Sequence, residues 1–545
     1  MKNLNSIIKN KKINMKQLYL IIVGCLLFLS QASANNLVLG TTQYLDSYTS
    51  GGVTYKALRF TIAWDNSWSI TTGPANWDGV WVFIKRQNCS GTNNWVHQKL
   101  GTTAGDHIAK NGAGTTSPEV QVDPVSDGMG VFIRRYGSNV TGSVPTTTVW
   151  LKLDVSTSGT NPSSTMSSQD NFQIYGIEMV YVPQGSFNAG DGRNPNSNNF
   201  SNGTANSPFA VTAAVQTAGA GSANNYTALA SLGCPGLLPP AFPLGYNGFY
   251  SMKYEATTGI FTEFLNTLTY DQQTTILQEA GTTLLPNVIN SWFDYNNWGM
   301  QTRVTTVGVY NTVPAVFSTV YPWIAEGNVI WRTMTAFLDW SALRPMTEFE
   351  FEKACRGSNT ATAGSPPVAM NAVVNEYPWG TTALYNGQYG SDYGNVNSGP
   401  GTNADGPAFY TGWNYTPSRG GVFAKAATNR VQAGATYYGI LDMAGNVWEQ
   451  CIGGSGYDYS GFTTANGDGV LTARGYANVA GWPSNGGVGS GTIIRGGWYE
   501  IGSTTSRLQT SDRSMYLGYQ WNGDKSDWNN SKFNGCRGVR SFQYP

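Results

Sequence analysis

Over residues 36–155 apolar and polar side chains recur with a period of two, and a chain patterned this way buries a single face only as β-strand. Leu58, Phe60, Ile62 and Trp64 alternate with Arg59, Thr61 and Ala63, and Val149, Leu151 and Leu153 form a second alternating face. Residues 80–84 and 131–133 are apolar on both faces and are expected as central strands. The expectation is an all-β, sandwich-like domain over 36–155. The chain's 2 histidines, His97 and His107, fall between these strands and are expected on surface loops. None follows, which removes His-ligated iron, zinc or copper and imidazole acid–base chemistry from the larger part of the chain.

Residues 156–170 are dominated by Ser, Thr, Gly and Pro and read as a linker. A second domain is expected over 171–545. It opens on a strand ended by Pro183, then runs through a Gly-, Asn- and Ser-rich stretch at 191–240 that reads as a surface insertion. Three helices are predicted. Residues 257–268 place Ile260, Phe261, Phe264 and Leu265 on one face behind a Thr257 or Thr258 N-cap; 333–341 do the same with Met334, Phe337 and Leu338. The third starts at Thr347, with Glu350 completing a capping box. Turns and short strands dominate beyond Gly357, so this domain is expected to be α+β with little regular secondary structure.

Export is written at the N-terminus. Lys2, Lys9, Lys11, Lys12 and Lys16 precede an apolar run at 18–29 and the small-residue site Ala32-Ser33-Ala34, the pattern of a signal peptide over 1–34. Cys25 offers a lipoprotein alternative, but the apolar run continues past it, which favours a secreted or cell-surface chain without a lipid anchor. No later stretch is long and apolar enough to span a bilayer. Lys and Arg total 32 and Asp and Glu total 32, so no net field draws in nucleic acid or an anionic membrane. Cys89, Cys234, Cys355, Cys451 and Cys536 remain after cleavage, with no zinc or CxxC spacing; one or two structural bridges are expected.

Residues 438–451, YGILDMAGNVWEQC, crowd Asp442, Gly445, Asn446, Trp448 and Glu449 into one turn and strand. Two readings stand open from the residues: a hard-cation site, or a tight turn leading into a half-buried strand.

Residues 179–187 (MVYVPQGSF), 253–266 (KYEATTGIFTEFLN), 343–357 (LRPMTEFEFEKACRG), 377–380 (YPWG), 438–451, 494–497 (IRGG) and 538–540 (GVR) occur in the order of a known family. Over about 171–545 the chain resembles the formylglycine-generating, sulfatase-modifying-factor family. The resemblance implies a C-type-lectin-like fold. Members oxidise a sulfatase cysteine with a copper-holding cysteine pair, but here Ile501 stands at the first position and Ser506 at or beside the second, while Trp498 replaces a serine. Soft thiolates select copper(I), so neither copper nor, without histidines, iron is expected. The resemblance also implies structural calcium at Asp442, the carbonyls of Gly445 and Val447, and Glu449, with a second site at Asn395 and Val396. Cys355 and Cys536 beside family motifs are disulfide candidates. Trp498, Ile501, Ser506 and Arg507 outline a candidate pocket, and 503–528, with Arg513 and Lys525, has the mixed polar and aromatic composition of recognition loops. The function expected is an exported, non-catalytic protein binding a ligand, glycan or protein at the cell surface; the alternative is an oxidase or other enzyme with an altered active site.

Overall fold

The computed structural model describes residues 36–50, 52–87, 94–117, 119–155, 166, 168–192, 199–200, 208–214, 241–279, 302–310, 312–358, 373–387, 405–408, 417–424, 428–453, 461–486, 490–499, 504–514 and 533–542. The expected signal peptide, Cys25, Cys89, Cys234, Asn395, Val396, Ile501 and Lys525 lie outside them, as do most of the expected insertion at 191–240 and most of 503–528.

The architecture is an α+β domain preceded by an all-β region. Two sheets carry the β region. The first has strands Val38–Leu39, Gln43–Ser50, Val53–Ser69, Val140–Lys152 and Ile108–Lys110, with the long antiparallel pair Val53–Ser69 and Val140–Lys152 at its centre. Its alternating residues Leu58, Phe60, Ile62 and Trp64 are buried against Val80, Val82 and Ile84, as the period of two requires.

The second sheet continues into the α+β domain. Its hydrogen-bonded order is Thr492–Arg495, Glu449–Ile452, Arg344–Thr347, Gly538–Ser541, Phe249–Met252, Asn171–Val182, Asp78–Gln87, Val131–Arg135 and Val120–Pro124, with Trp95–Gln98 also on Asp78–Gln87. Asn171–Val182 pairs antiparallel with Asp78–Gln87 from Asn171↔Gln87 to Val180↔Asp78. That pairing explains why the strand begins at Asn171, earlier than its apolar core predicts. Asp78 is buried and accepts from Lys253 Nζ at 3.0 Å, while Asn76 donates to the carbonyl of Tyr438 at 2.8 Å. The end of the expected linker is also tied down: Met166 is buried in the β core, and Arg86 pairs with Asp170 at 3.2 Å.

The histidines are not on the surface. His97 lies on Trp95–Gln98, 4% exposed, with Nε2 2.7 Å from the carbonyl of Met129; His107 Nε2 lies 2.9 Å from the carbonyl of Gly101. Each ring is held by a backbone oxygen, and burial lowers the proton affinity of both.

Four helices are described: α1 Thr258–Asn266, α2 Tyr270–Glu279, α3 Trp331–Trp340 and α4 Glu348–Arg356. α1 and α3 bring Phe261, Phe264 and Phe337 into the largest apolar cluster. α4 starts in the predicted capping box: Thr347 Oγ1 accepts from Glu350 N at 3.2 Å, and Glu350 Oε2 accepts from Thr347 N at 3.0 Å. Its charged residues are buried rather than solvated. Glu348 and Glu352 meet Arg495, Arg513 and Arg356, and every side chain of this group is 1% exposed or less. Gly453 faces Glu348 with φ +157°, and a Cβ there would stand 2.0 Å from Glu348 Oε1. Arg513 is therefore an ion-pair partner of the core and not the recognition residue its loop composition predicts.

Candidate functional site

The segment 438–451 folds into a turn followed by the strand Glu449–Ile452. Asp442 and Asn446 take positive φ of 60° and 63°, and Gly445 lies between them at 80°. Short polar side chains and glycine tolerate that conformation. Neither acid is solvated: Asp442 is 9% exposed and Glu449 1%. Asp442 Oδ2 accepts from the amide of Gly421 at 2.5 Å. Glu449 Oε1 accepts from Arg537 Nε at 2.7 Å, and the same guanidinium donates to the carbonyls of Met252 and Leu441.

A third acid joins them that the sequence reading missed. Glu255, within the 253–266 motif, is 2% exposed; it accepts from Asn446 Nδ2 and, at 3.1 Å, from Val447 N, so it shapes the turn. Burial pushes the Asp442 carboxyl up to about 6 and the Glu449 carboxyl up to about 7, against the pull of Arg537. Burial, then the charge of Asp442, raises Glu255 as well. Glu449 Oε2 is buried without a hydrogen-bond partner. Such a deficit of positive charge suits a hard cation. Among the described residues no group of three or more His, Cys, Asp or Glu side chains is arranged to hold a metal ion. A cation here would therefore depend on the carbonyls of Gly445 and Val447 as well as Asp442 and Glu449.

Glu326 is the second acid missed. It is fully buried, and neither carboxylate oxygen has a hydrogen-bond partner, so burial raises its proton affinity well above the usual carboxylate range. An acid in the short segment Ala325-Glu326-Gly327 ahead of α3 was the only sequence signal.

Around the expected pocket, Trp498 packs 5.0 Å from Trp448 and 5.3 Å from Phe533, centroid to centroid, and the guanidinium of Arg507 lies 5.8 Å from its ring. The Trp498 indole nitrogen is buried and has no hydrogen-bond partner. Ser506 is exposed on the short 3-10 turn Thr505–Leu508. The large indole thus fills space beside the turn, while Ser506 faces outward; Ile501 lies outside the described residues.

The disulfide candidates do not pair. Cys355 and Cys536 are free, buried thiols in different apolar clusters, and Cys451 is free and buried too. Burial raises the proton affinity of all three thiols. Peptide mapping after iodoacetamide treatment will find these three unmodified in the folded protein and alkylated once it is denatured; alkylation in the native state would contradict their burial.

A model of the sulfatase-modifying factor enzyme 1-like domain matches residues 164–540, more than half of the chain. This chain belongs to the sulfatase-modifying factor enzyme 1-like family. Among the described residues no catalytic cysteine pair is seen. The family match ends within the strand Gly538–Ser541. Among solved structures the chain is similar to Treponema denticola variable protein 1 at 13% identity, covering 68% of this chain and 96% of that one, with a TM-score of 0.27. No curated protein matches. Among the described residues no helix is long and apolar enough to cross a membrane.

Proposed function

We propose that this family member is an exported, non-catalytic protein that acts in ligand binding or interaction at the cell surface. The reading rests chiefly on the substitution of Ile501 and Ser506 for thiolate ligands. A serine hydroxyl is a poor copper(I) ligand and an isoleucine side chain has no ligating atom. The packing of Trp498 against Trp448 and Phe533 supports it, since an indole occupies space beside the turn. The direct test is incubation of the purified protein with copper and a peptide carrying a CxPxR sulfatase motif. No aldehyde is expected by mass spectrometry, and turnover would overturn the reading in favour of an enzyme with altered chemistry.

Structural calcium is part of the same proposal. Asp442, Glu449 and the carbonyls of Gly445 and Val447 would hold it, and the ion would neutralise the acids that Arg537 balances incompletely. Asn395 and Val396 are proposed as a second site by family resemblance alone. For an extracellular-type affinity of ~10⁻⁴ M, calcium at about 1 mM stabilises the fold by about 1.4 kcal/mol. Addition of a chelator to the calcium-loaded protein will lower its melting temperature by a few degrees. An unchanged melting curve, with no metal by elemental analysis, would leave Asp442 and Glu449 as turn chemistry.

A further inference from the structure

A cavity of about 560 Å³ opens where the β region meets α1, within the range of about 300–1,000 Å³ usual for small-molecule sites. Leu37 and Leu39 of the β region form one wall, α1 the opposite one, and the strand Asn171–Val182 part of the floor. Gly176 on that strand makes the wall possible: a Cβ there would come 3.0 Å from Leu39 Cδ1 and 3.4 Å from Leu37 Cδ2. The hairpin carrying Phe317 closes the rim. It is pinned to α1 by Asn266, whose side chain accepts from Phe317 N at 2.8 Å and donates to its carbonyl at 3.1 Å.

The charge of the lining is one-sided. Among the described residues Glu178, Glu255 and Glu263 line the cavity, and no Lys or Arg does. Two of these acids are committed elsewhere: Glu178 lies 3.7 Å from Lys253, and Glu255 holds the turn at Asn446 and Val447. Glu263, on α1, is half-buried and accepts a hydrogen bond from the neutral side chain of Gln173, Nε2 to Oε2, at 2.8 Å. Burial raises its carboxyl above the usual range, against the hydrogen bond from Gln173, and among the described residues no cation pairs with it. The remaining wall is mixed: aliphatic and hydroxyl side chains are joined by the aromatic rings of Tyr254, Phe317 and Trp323. Electron-rich ring faces attract an ammonium group, more so where water is partly excluded.

The geometry points to a binding site for a small organic amine with an apolar body, seated in the cavity between Leu37, Leu39 and α1, with Glu263 as its counter-ion. The ammonium group sits at Glu263, and the apolar body fills the space beside Tyr254, Phe317 and Trp323. An anionic ligand is disfavoured by the three acids, and a purely apolar one leaves Glu263 desolvated and unpaired. This site is separate from the one around Trp498, so its failure leaves the non-catalytic reading intact, and the reverse also holds.

The test uses the full mature chain and three probes in isothermal titration: tyramine, its neutral isostere 4-ethylphenol, and the anion 3-(4-hydroxyphenyl)propanoate. Tyramine should bind about tenfold or more tighter than either of the others. Glu263→Gln, which keeps the shape and the Gln173 contact, should erase that preference without changing the melting temperature. Ile260→Trp, which fills the cavity from α1, should abolish binding and serves as the second variant if Glu263→Gln folds poorly. Equal binding of tyramine and 4-ethylphenol, no binding of tyramine, or undiminished tyramine binding by the Ile260→Trp protein would each overturn the assignment.

Discussion

Replacing Glu348 with alanine will cost about 3–5 kcal/mol, the usual range when one partner of a buried ion pair is removed. Glu348 Oε2 accepts from Arg495 Nη1 and Arg513 Nε, each at 2.6 Å, and Oε1 accepts from Arg513 Nη2 at 2.6 Å. Arg495 keeps a second carboxylate in Glu352 at 2.9 Å, whereas Arg513 loses Glu348 and keeps the carbonyl of Gly453. A buried guanidinium loses the carboxylate that accepts two of its hydrogen bonds, and it cannot shed its proton at accessible pH. The network joins α4 to the strand Thr492–Arg495 and to residues 510–513. Urea denaturation followed by tryptophan fluorescence will show a much lower midpoint at an unchanged slope. A midpoint within experimental error of the parent protein would mean that water already compensates this cluster.

The second large effect is expected at Trp81. This residue is fully buried on Asp78–Gln87, yet it belongs to the cluster built mainly from the α+β domain. Its Nε1 donates to the carbonyl of Ser341 at 2.8 Å, its ring lies 4.9 Å from Phe132, and the guanidinium of Arg540 lies 4.3 Å from its centroid. Gly130 clears a place for the indole, since a Cβ there would come 2.6 Å from Trp81 Cη2. Trp81→Ala should cost about 3–5 kcal/mol, the range for deleting a large buried aromatic. The informative readout is the form of the transition. With one sheet running through both regions, calorimetry should show a single transition that moves as a whole. Two transitions, one of them unshifted by the substitution, would mean that the regions unfold independently despite their shared strands.

Much of the fold was legible because local pattern and tertiary burial agree. The period of two around Leu58–Trp64, the apolar stripe on α1 and the Thr347–Glu350 capping box are each decided within a few residues. What was not legible depends on distant partners. The strand Asn171–Val182 extends back to Asn171 because Gln87 and its neighbours pair with it, and nothing near Asn171 announces that. The histidines read as surface residues because their carbonyl partners at Met129 and Gly101 lie 32 and 6 residues away. At the site, Asp442 and Glu449 were found from their motif, but Glu255 and Glu326 were missed: an acid in an apolar segment looks like any other until its burial is known. The cysteine bridge failed for the same reason, since closeness to a motif in sequence says little about which core a thiol enters.

The strand order has a consequence for how this chain reaches its folded state. Gly538–Ser541 lies between Arg344–Thr347 and Phe249–Met252, well inside the sheet. During synthesis or export those two neighbours emerge first and must wait with open edges until residues 538–541 arrive. A sheet completed by such a late strand has high contact order and exposes pairing edges in the interim. Truncation before this strand would therefore do more than shorten the protein: it would split the sheet and add two aggregation-prone rims to the edges the native sheet already has.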